Sequence, residues 1–305
     1  MTSNIEVVGI DHGWSQIKTA SVVFPSAIEE NPSPTFFKDV LEYEGKYYSI
    51  STRRSKVKDS KVEDEEFYLL TLVGIAKELE KRGGITEANI YLAVGLPLTR
   101  FGEEKQSFID YLSRNEEVIF SFSEKQYHIK IVKVSVYPQC YSAVAEMIPM
   151  FQRRALVVDV GSWTVDVMPV INKKPDDVRC DSLQQGLIVR MQEINRLCSK
   201  QFNFELDEMD IEHYMRFHQI NNIPEKVVEL METQLRDYAD TVIRSLKELK
   251  FNIQTTPIIF VGGGAVVIKN FSSLKLPNME YKLDVKANAK GYETLARIAL
   301  RNSRR

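Results

Sequence analysis

A short motif occurs twice in this sequence, with its two copies about half a chain length apart. The first copy, IDHGWSQIK, occupies residues 10–18, and the second, VDVGSWTVD, occupies residues 158–166. Both contain an apolar residue, Asp, one further residue and Gly, then a hydroxyl side chain, and both lie between apolar, β-branched runs. This order is typical of a strand, a tight turn and a second strand. The repetition therefore predicts two similar halves, each with one such hairpin.

Length and charge narrow the classes of protein to which the chain can belong. It has 305 residues and a formal net charge of -2 at pH 7. At roughly 150 residues per domain, this length predicts about two domains. The near-neutral charge provides no global attraction to nucleic acid or to an anionic membrane, so neither is expected as a direct partner. Three cysteines without CxxC spacing argue against a disulfide framework or a zinc site, and the first residues lack a secretory signal. A cytoplasmic protein is expected.

Hydrophobic periodicity predicts strands and helices in both halves. Helices are predicted at residues 66–81, 102–115, 142–150, 186–202, 224–249 and 291–301, and a solvated loop at 53–66. Strands are predicted at 5–10, 17–24, 89–95, 156–158, 165–171 and 257–261, with a hairpin at 42–50 and two strands within 117–136 that show alternation around Gln126 and Tyr127. The strand at 257–261 is predicted to break at three glycines and to resume at 265–268.

The two turns carry residue types that suit a magnesium-bound phosphate chain. Glycine lets consecutive backbone N–H groups face one anion, and Lys18 adds a positive charge beside the first turn. Asp11 and Asp159 supply the hard oxygen atoms that Mg²⁺ prefers. Either turn alone is equally consistent with an ordinary hairpin that contains a structural Asp. The occurrence of the motif in both halves favours the metal and phosphate hypothesis.

Three consecutive glycines, Gly262, Gly263 and Gly264, follow a predicted buried strand. A bare backbone at a strand end lets a ribose or base lie close, although close packing of a helix on a sheet would also require it. The sequence contains neither the GxGxxG dinucleotide fingerprint nor a GxxxxGK[ST] loop. A nucleotide site of another class is therefore predicted.

Five segments, in order, resemble the signature segments of the actin/Hsp70/sugar-kinase ATPase superfamily. They are residues 11–18 and 159–166 for the two phosphate loops, 136–139 and 287–291 for the two connections, and 260–265 for the adenosine segment. Within this superfamily the chain resembles the plasmid-segregating bacterial actins, the ParM family, at residues 67–72, at 95–97 and at Gly186, which opens a helix after the second phosphate loop.

The resemblance implies an α/β fold with two actin-like lobes, built from duplicated RNase H-like domains, with a nucleotide cleft between the lobes. Lobe I is expected to comprise residues 1–154 and 290–305, with a small subdomain at about 25–85. Lobe II is expected to comprise residues 155–289, with a helical subdomain at about 183–256.

The resemblance also implies a set of site residues for ATP, with GTP possible, and for Mg²⁺. Asp11 and Asp159 would hold the metal through water and take part in catalysis, and Gln139 would orient the attacking water. A Gln can bond that water without removing its proton, and positioning is most of what phosphoryl transfer to water requires. The expected nucleotide-binding residues are Gly13, Trp14, Ser15, Lys18, Gly161, Ser162, Thr164, Gly186, Arg190, Glu193, Gly262, Gly263 and Gly264.

Three bulky residues depart from the family pattern, in which these positions are more often small. They are His12 and Trp14 in the first turn and Trp163 in the second. A neutral His12 is expected to face solvent, and the two tryptophans are expected to pack each hairpin against its own lobe.

Three functions are consistent with these segments. The first is an ATP-hydrolysing protein that forms nucleotide-dependent filaments with copies of itself and segregates plasmid DNA through a DNA-bound adaptor. The second is a small-molecule, sugar-type kinase of the same fold, which needs a carboxylate base that no further motif supplies. The third is an ATP-binding scaffold that does not polymerise, against which the presence of Asp11, Gln139 and Asp159 argues.

Overall fold

Two units make up the chain in its computed structural model, which describes residues 5–33, 39–51, 62, 65–151 and 153–303. Unit 1 comprises Met1–Glu146 and Lys286–Arg305, and unit 2 comprises Met147–Val285. The lobe boundaries expected at 154/155 and 289/290 lie near these divisions and stay a prediction. Most of the charged stretch at 53–66, expected to be a loop, lies outside the described residues.

Unit 1 contains a nine-stranded sheet in the order β3-β2-β1-β7-β9-β8-β5-β6-β4 among the described residues. Strand β1 is parallel to β7, and β7 is parallel to β9, so the carboxyl ends of these central strands lie at one edge. The strands are β1 (Ile5–His12), β2 (Gln16–Thr19), β3 (Val23–Pro25), β4 (Ile28–Asn31), β5 (Val40–Tyr43), β6 (Lys46–Ile50), β7 (Glu87–Leu96), β8 (Glu117–Phe122) and β9 (Lys125–Pro138).

Helices cover both faces of the central strands in unit 1. Val8 and Ile10 of β1 belong to the core formed with α1 (Glu66–Lys81) and α2 (Leu98–Leu112), whereas Val7 packs in a second cluster with Tyr292 of α7 (Ala287–Asn302). Successive strand residues point to opposite faces, so β1 is buried on both sides. This explains why its sequence is a continuous apolar run and does not alternate with polar residues.

Unit 2 has a second sheet in the order β12-β11-β10-β14-β15, with β13 paired to β11. Its strands are β10 (Arg154–Val160), β11 (Val165–Ile171), β12 (Lys174–Pro175), β13 (Asp181–Leu183), β14 (Ile258–Val261) and β15 (Met279–Tyr281). Four helices pack their apolar residues with Val158 and Val160 of β10 in one core. They are α3 (Leu187–Phe202), α4 (Glu208–Phe217), α5 (Glu225–Glu248) and α6 (Ala265–Phe271).

Both predicted Asp-Gly hairpins are confirmed: β1 pairs with β2, and β10 with β11, in antiparallel register. The hairpin at 42–50 is confirmed as β5 and β6, and the helix at 66–81 has the predicted bounds. The run at 17–24, predicted as one strand, is two strands, because Thr19 N–H donates to Val22 O at 2.9 Å and closes a turn. Helix α4 was not predicted.

The two strands predicted within 117–136 are confirmed as β8 and β9, and the turn between them lies at Ser123 and Glu124, which both have positive φ. Two other predictions of local structure are wrong. Residues 142–150 form two 3-10 turns, Ser142–Val144 and Ile148–Met150, because Pro149 lacks the N–H that a continuous α-helix needs there. The apolar run at 265–268 begins helix α6 and does not resume a strand.

A partly buried ionic network joins β1, β2, α1 and α7 in unit 1. Arg82, directly after α1, donates to Glu78 and Glu6 at 3.1 Å each, to Val7 O at 2.7 Å and to Glu293 of α7. Glu293 also accepts from Gly9 N–H at 3.1 Å, which connects α7 directly to the backbone of β1. The network therefore fixes the strand that ends in the first Asp-Gly turn.

Helix α7 lies so close to its neighbours that three positions accommodate only glycine. A Cβ atom at Gly9 of β1 would be 2.2 Å from Ala289 O, one at Gly95 of β7 would be 2.0 Å from Tyr292 Oη, and one at Gly291 would be 1.9 Å from Ser142 O. These approaches are shorter than any real contact of a Cβ atom. Among the described residues, no helix combines the length and apolar character that crossing a bilayer requires.

Replacing Glu78 with Gln tests the network, because it removes the charge and keeps the volume. Burial raises the pKa of Glu78, but hydrogen bonds from Thr19 and Ser21 and the charge of Arg82 outweigh it and lower that pKa below the usual 4.5. A lowered pKa means that the contribution of Glu78 to stability is complete at neutral pH and lost as the pH falls below about 4.5. We expect Glu78→Gln to reduce the free energy of unfolding by about 2 kcal/mol near neutral pH.

Urea unfolding at about pH 7 and about pH 3.5 measures this difference, which should shrink at the lower pH. The control is Glu80→Gln on the same helix, where the half-exposed pair with Lys125 should contribute less than about 1 kcal/mol. Equal effects of the two substitutions would contradict the assigned role of Glu78.

Candidate functional site

The first Asp-Gly turn holds a buried carboxylate between two polar side chains. Asp11 and Lys18 lie opposite each other in the β1–β2 register, and Lys18 Nζ is 3.4 Å from Asp11 Oδ2. Gln139 Nε2 donates to the other carboxylate oxygen at 3.0 Å. The structure thus brings together three predicted site residues that are widely separated in sequence.

The location of Gln139 follows from the parallel strands. Its N–H donates to Leu96 O at 2.9 Å, at the end of β7, and the next residue, Cys140, has a φ of 60°. Tyr141 N–H then donates back to Gln139 O at 2.6 Å. This tight turn directs the chain away after Gln139, at the edge where β1, β7 and β9 all end. In open α/β sheets this carboxyl edge is where ligands bind.

The remaining residues of the first turn provide backbone groups and one buried hydroxyl. A Cβ atom at Gly13 would be 2.7 Å from Gln16 O and 3.0 Å from Lys18 Nζ, so the turn is tight around the lysine. Ser15 Oγ is buried and has no hydrogen-bond partner within the part of the chain that the structure describes. The Trp14 indole packs edge-on against Phe67 of α1, with ring centroids 5.5 Å apart.

His12 does not face solvent as expected. Its side chain is fully buried, with Nε2 2.7 Å from Thr71 Oγ1 of α1. The imidazole also contacts the rings of Phe67 and Phe108 edge-on. The expectation was wrong because His12 points inward, between β1 and α1, and not out of the turn.

The second Asp-Gly turn lies in unit 2 and is closed by its own backbone. Gly161 N–H donates to Thr164 O at 2.9 Å, and the Thr164 hydroxyl donates to Asp166 Oδ2 at 3.2 Å. Asp159, at the end of β10, is 8% exposed. Ser162 O accepts from Ile188 N–H at 2.9 Å, so the first turn of α3 contacts this loop.

Gly186 lies behind the second turn, where two backbones almost touch. A Cβ atom there would be 2.1 Å from the carbonyl carbon of Trp163, to whose oxygen Gly186 N–H donates at 3.0 Å. Leu187 N–H donates to Gly161 O at 3.2 Å. The first amides of α3 are therefore bonded to the loop, and the observed role of Gly186 is to let the helix approach it.

The glycine run places a bare backbone against Asp159. Gly262 has a φ of 84°, and a Cβ atom there would be 2.2 Å from Asp159 Oδ1. Gly264 N–H donates to Val160 O at 2.8 Å, whereas a Cβ atom at Gly263 would meet nothing within 4 Å. Unit 2 thus brings Asp159, the second turn and the glycine run together, with open space at Gly263.

Two predicted nucleotide contacts on α3 have other partners. Arg190 Nη1 donates to Gln234 of α5 at 2.8 Å, and Glu193 pairs with Arg196 at 2.7 Å. The hydrogen bond from Arg196 lowers the pKa of Glu193. The first bond joins α3 to α5, and the second lies within α3. Neither connects Arg190 or Glu193 to the second Asp-Gly turn.

Two family models match the sequence, one for each half. Residues 9–141 match the N-terminal domain of actin-like proteins, and residues 157–273 match the C-terminal domain of the archaeal, MreB-like actin homologues. The matched segments include both Asp-Gly turns, Gln139 and the glycine run. The chain belongs to the actin-like proteins.

Solved structures confirm the actin-like, two-domain α/β fold. The archaeal actin homologue Ta0583 in complex with ADP is 21% identical, with a TM-score of 0.75 over 96% of this chain and 99% of that chain. A ParM protein from Clostridium botulinum, solved as a 15-stranded filament, is 18% identical, with a TM-score of 0.76 over 97% and 99% of the two chains. ParM from Bacillus thuringiensis with ATP is 14% identical, with a TM-score of 0.72 over 98% and 100%. No curated protein matches significantly.

Each Asp-Gly turn of this actin-like protein supplies one carboxylate of the kind that suits Mg²⁺. Asp11 and Asp159 are each the last residue but one of their strand, and both side chains are buried hard oxygen ligands, which Mg²⁺ prefers. The described residues contain no cluster of three or more His, Cys, Asp or Glu side chains arranged for a metal. Mg²⁺ in nucleotide sites keeps several waters and takes phosphate oxygens, so one or two carboxylates are sufficient.

Sequence reasoning missed Thr71, the partner of His12. Thr71 lies in the apolar run of α1 and is 1% exposed. A hydroxyl on the buried face of an amphipathic helix needs a hydrogen-bond partner, and this requirement is the sequence signal that could have identified Thr71. The identity of that partner depends on which strand the helix covers. No local pattern in the sequence of this actin-like protein specifies that strand.

Two substitutions in the glycine run distinguish Gly262, which is closely packed, from Gly263, which faces open space. Gly262→Ala forces a side chain into a left-handed backbone and against Asp159, so we expect the free energy of unfolding to fall by about 2–3 kcal/mol. Gly263→Ala meets open space and should change it by less than about 0.5 kcal/mol. Urea unfolding of both variants checks this, and similar values would argue against the close approach to Asp159.

Proposed function

We propose that this actin-like protein binds and hydrolyses ATP with Mg²⁺ and forms nucleotide-dependent filaments with copies of itself. The observation that carries the proposal is the arrangement at Asp11, whose carboxylate contacts both Lys18 and Gln139 at the carboxyl edge of the sheet. This arrangement combines a metal-binding oxygen, a phosphate-binding cation and a water-positioning amide. The fold and the repeated turn at Asp159 support it.

Each predicted side chain has a chemical task in this proposal. Lys18 and the backbone of residues 13–15 bind phosphate oxygens, as do the Ser162 hydroxyl and the backbone of residues 162–164. Thr164 contributes only its backbone, because its hydroxyl already donates to Asp166. Bound Mg²⁺ would neutralise charge on the phosphates, with Asp11 and Asp159 holding its waters. The glycine run at 262–264 would contact the nucleoside. Arg190 and Glu193 are weaker candidates for this contact, since both already have protein partners.

Gln139 is the residue that we propose orients the attacking water. Its Nε2 donates to Asp11, so its Oε1 is the atom that would accept a hydrogen bond from water. An amide does not remove a proton at neutral pH, and its contribution is geometric. This role agrees with phosphoryl transfer, in which positioning and charge stabilisation account for most of the catalysis.

Plasmid DNA segregation through a DNA-bound adaptor is the cellular role that we propose for the filaments. Relatives of similar fold include ParM proteins, one of them solved as a filament. The formal net charge of -2 and the pI of about 6.2 do not favour direct attraction to DNA, since non-specific binding depends on neutralising phosphates with Lys and Arg. A separate basic adaptor would therefore provide the contact with DNA.

Gln139→Ala and Asp159→Ala should each reduce phosphate release from ATP by at least about 10-fold. The first removes the water-positioning amide, and the second removes a proposed metal ligand. Gln106→Ala is a matched control, because Gln106 bonds only to exposed Asp110 on α2 among the described residues, and it should retain full turnover. Full turnover in both test variants would remove these assignments.

Pelleting with ATP, with GTP, with ADP and without nucleotide tests assembly. We expect sedimentable polymer with triphosphate, and loss of polymer as the triphosphate is hydrolysed. A chain that stays monomeric at tens of micromolar under all conditions would contradict the filament proposal. ATP binding without turnover would then indicate a scaffold, whereas turnover only with an added sugar-type acceptor would indicate a kinase.

A further inference from the structure

A single helix contacts both strands of the hairpin that forms the first Asp-Gly turn. In β1, His12 Nε2 lies 2.7 Å from Thr71 Oγ1 of α1. In β2, the Thr19 hydroxyl donates to Glu78 of the same helix. Residues 71 and 78 are seven positions, or about two helical turns, apart and lie on one face. The turn that carries Gly13 lies between these two attachments.

The hydrogen-bond network determines the proton position on His12. The Thr71 hydroxyl donates its single proton to Phe67 O, at 2.6 Å, one turn earlier in α1. It can therefore only accept from His12, so Nε2 carries a proton and is the donor. His12 thus donates specifically to α1, and a hydroxyl at residue 71 is required to receive that proton.

Aromatic contacts restrict the same region of the turn. The imidazole of His12 meets Phe67 and Phe108 edge-on, with centroids 5.9 and 5.4 Å apart. Trp14, two residues later, also meets Phe67 edge-on, with ring centroids 5.5 Å apart. The two bulky residues that depart from the family pattern therefore share one aromatic partner on α1.

We infer that His12 is a positioning residue, which holds the first phosphate turn on α1, through Thr71, in the conformation that receives the nucleotide phosphates. The identity of the ligand in this inference rests on the proposed function, whereas the attachment of the turn to α1 does not. Without the bond, the turn would occupy other conformations, and the apparent affinity for nucleotide would fall in proportion to the competent fraction. His12 itself would contact no substrate atom.

The decisive substitution is Thr71→Val, which has nearly the same shape, lacks the acceptor and lies outside the proposed binding residues. We expect the dissociation constant for ATP to rise about 5- to 10-fold, because losing a buried hydrogen bond has an effect of about this size. Turnover at saturating ATP should change by less than about 2-fold. Thr71→Ser restores the hydroxyl and should bind ATP within about 2-fold of the original chain.

Thr241→Val is the matched control. Thr241 makes the same bond to the residue four positions earlier, Asp237 O at 2.7 Å, but on α5 and without a histidine partner among the described residues. It should change neither affinity nor turnover. His12→Phe keeps an aromatic ring and removes the donor, so its effect on affinity should not add to that of Thr71→Val.

Hydrogen exchange of the amides at residues 12–15 in the nucleotide-free protein separates this inference from the proposed function. Thr71→Val should accelerate their exchange by about 10-fold relative to amides in β10, and Thr71→Ser should not. Unchanged exchange and unchanged affinity in a folded Thr71→Val chain would overturn the inference. If the original chain does not bind ATP but the exchange difference is present, the proposed function fails and the attachment stands.

Discussion

The attachment of the β1–β2 hairpin to helix α1 is the interaction on which the first Asp-Gly turn depends. Asp11 and Lys18 are opposite each other only because this hairpin has a fixed register, and His12 and Thr19 are bonded to the same face of one helix. Glu78, which receives the Thr19 bond, also faces Arg82, which reaches α7. A change in α1 is therefore transmitted to the turn through buried, directional bonds, which have few alternative arrangements.

Much of this arrangement was predictable because it follows from local pattern and register. A hairpin with one turn between two β-branched runs places residues such as Asp11 and Lys18 in cross-strand pairs, which interact directly. Gln139 was expected from the resemblance of residues 136–139 to the first connection of the family, and it lies beside Asp11 because parallel strands bring their carboxyl ends to one edge. In each of these cases backbone geometry brings the side chains together, and short sequence patterns specify that geometry well.

The failures have a different physical origin. The orientation of His12 depends on a helix about 60 residues away in sequence, and no local pattern specifies that partner. The four residues at 265–268 are apolar in any conformation, so periodicity cannot distinguish a strand from the first turn of α6. The close approach of Gly186 to the backbone of Trp163 also depends on the position of α3, which its place in the motif does not specify, and its role in ligand binding stays a prediction.

The two Asp-Gly turns show that one motif is stabilised by different means in the two units. Side chains of α1 hold the first turn, whereas backbone amides at the start of α3 and the bare backbone of Gly262 hold the second. A side-chain attachment can be lost by a single substitution such as Thr71→Val, while the backbone bonds of the second turn are sensitive where a Cβ atom would enter a close approach, at Gly186 and Gly262. Sequence variation should therefore alter the first turn through the side chains that attach it to α1, and the second through its glycines. The unusual His12 and Trp14 lie in the turn that side chains hold.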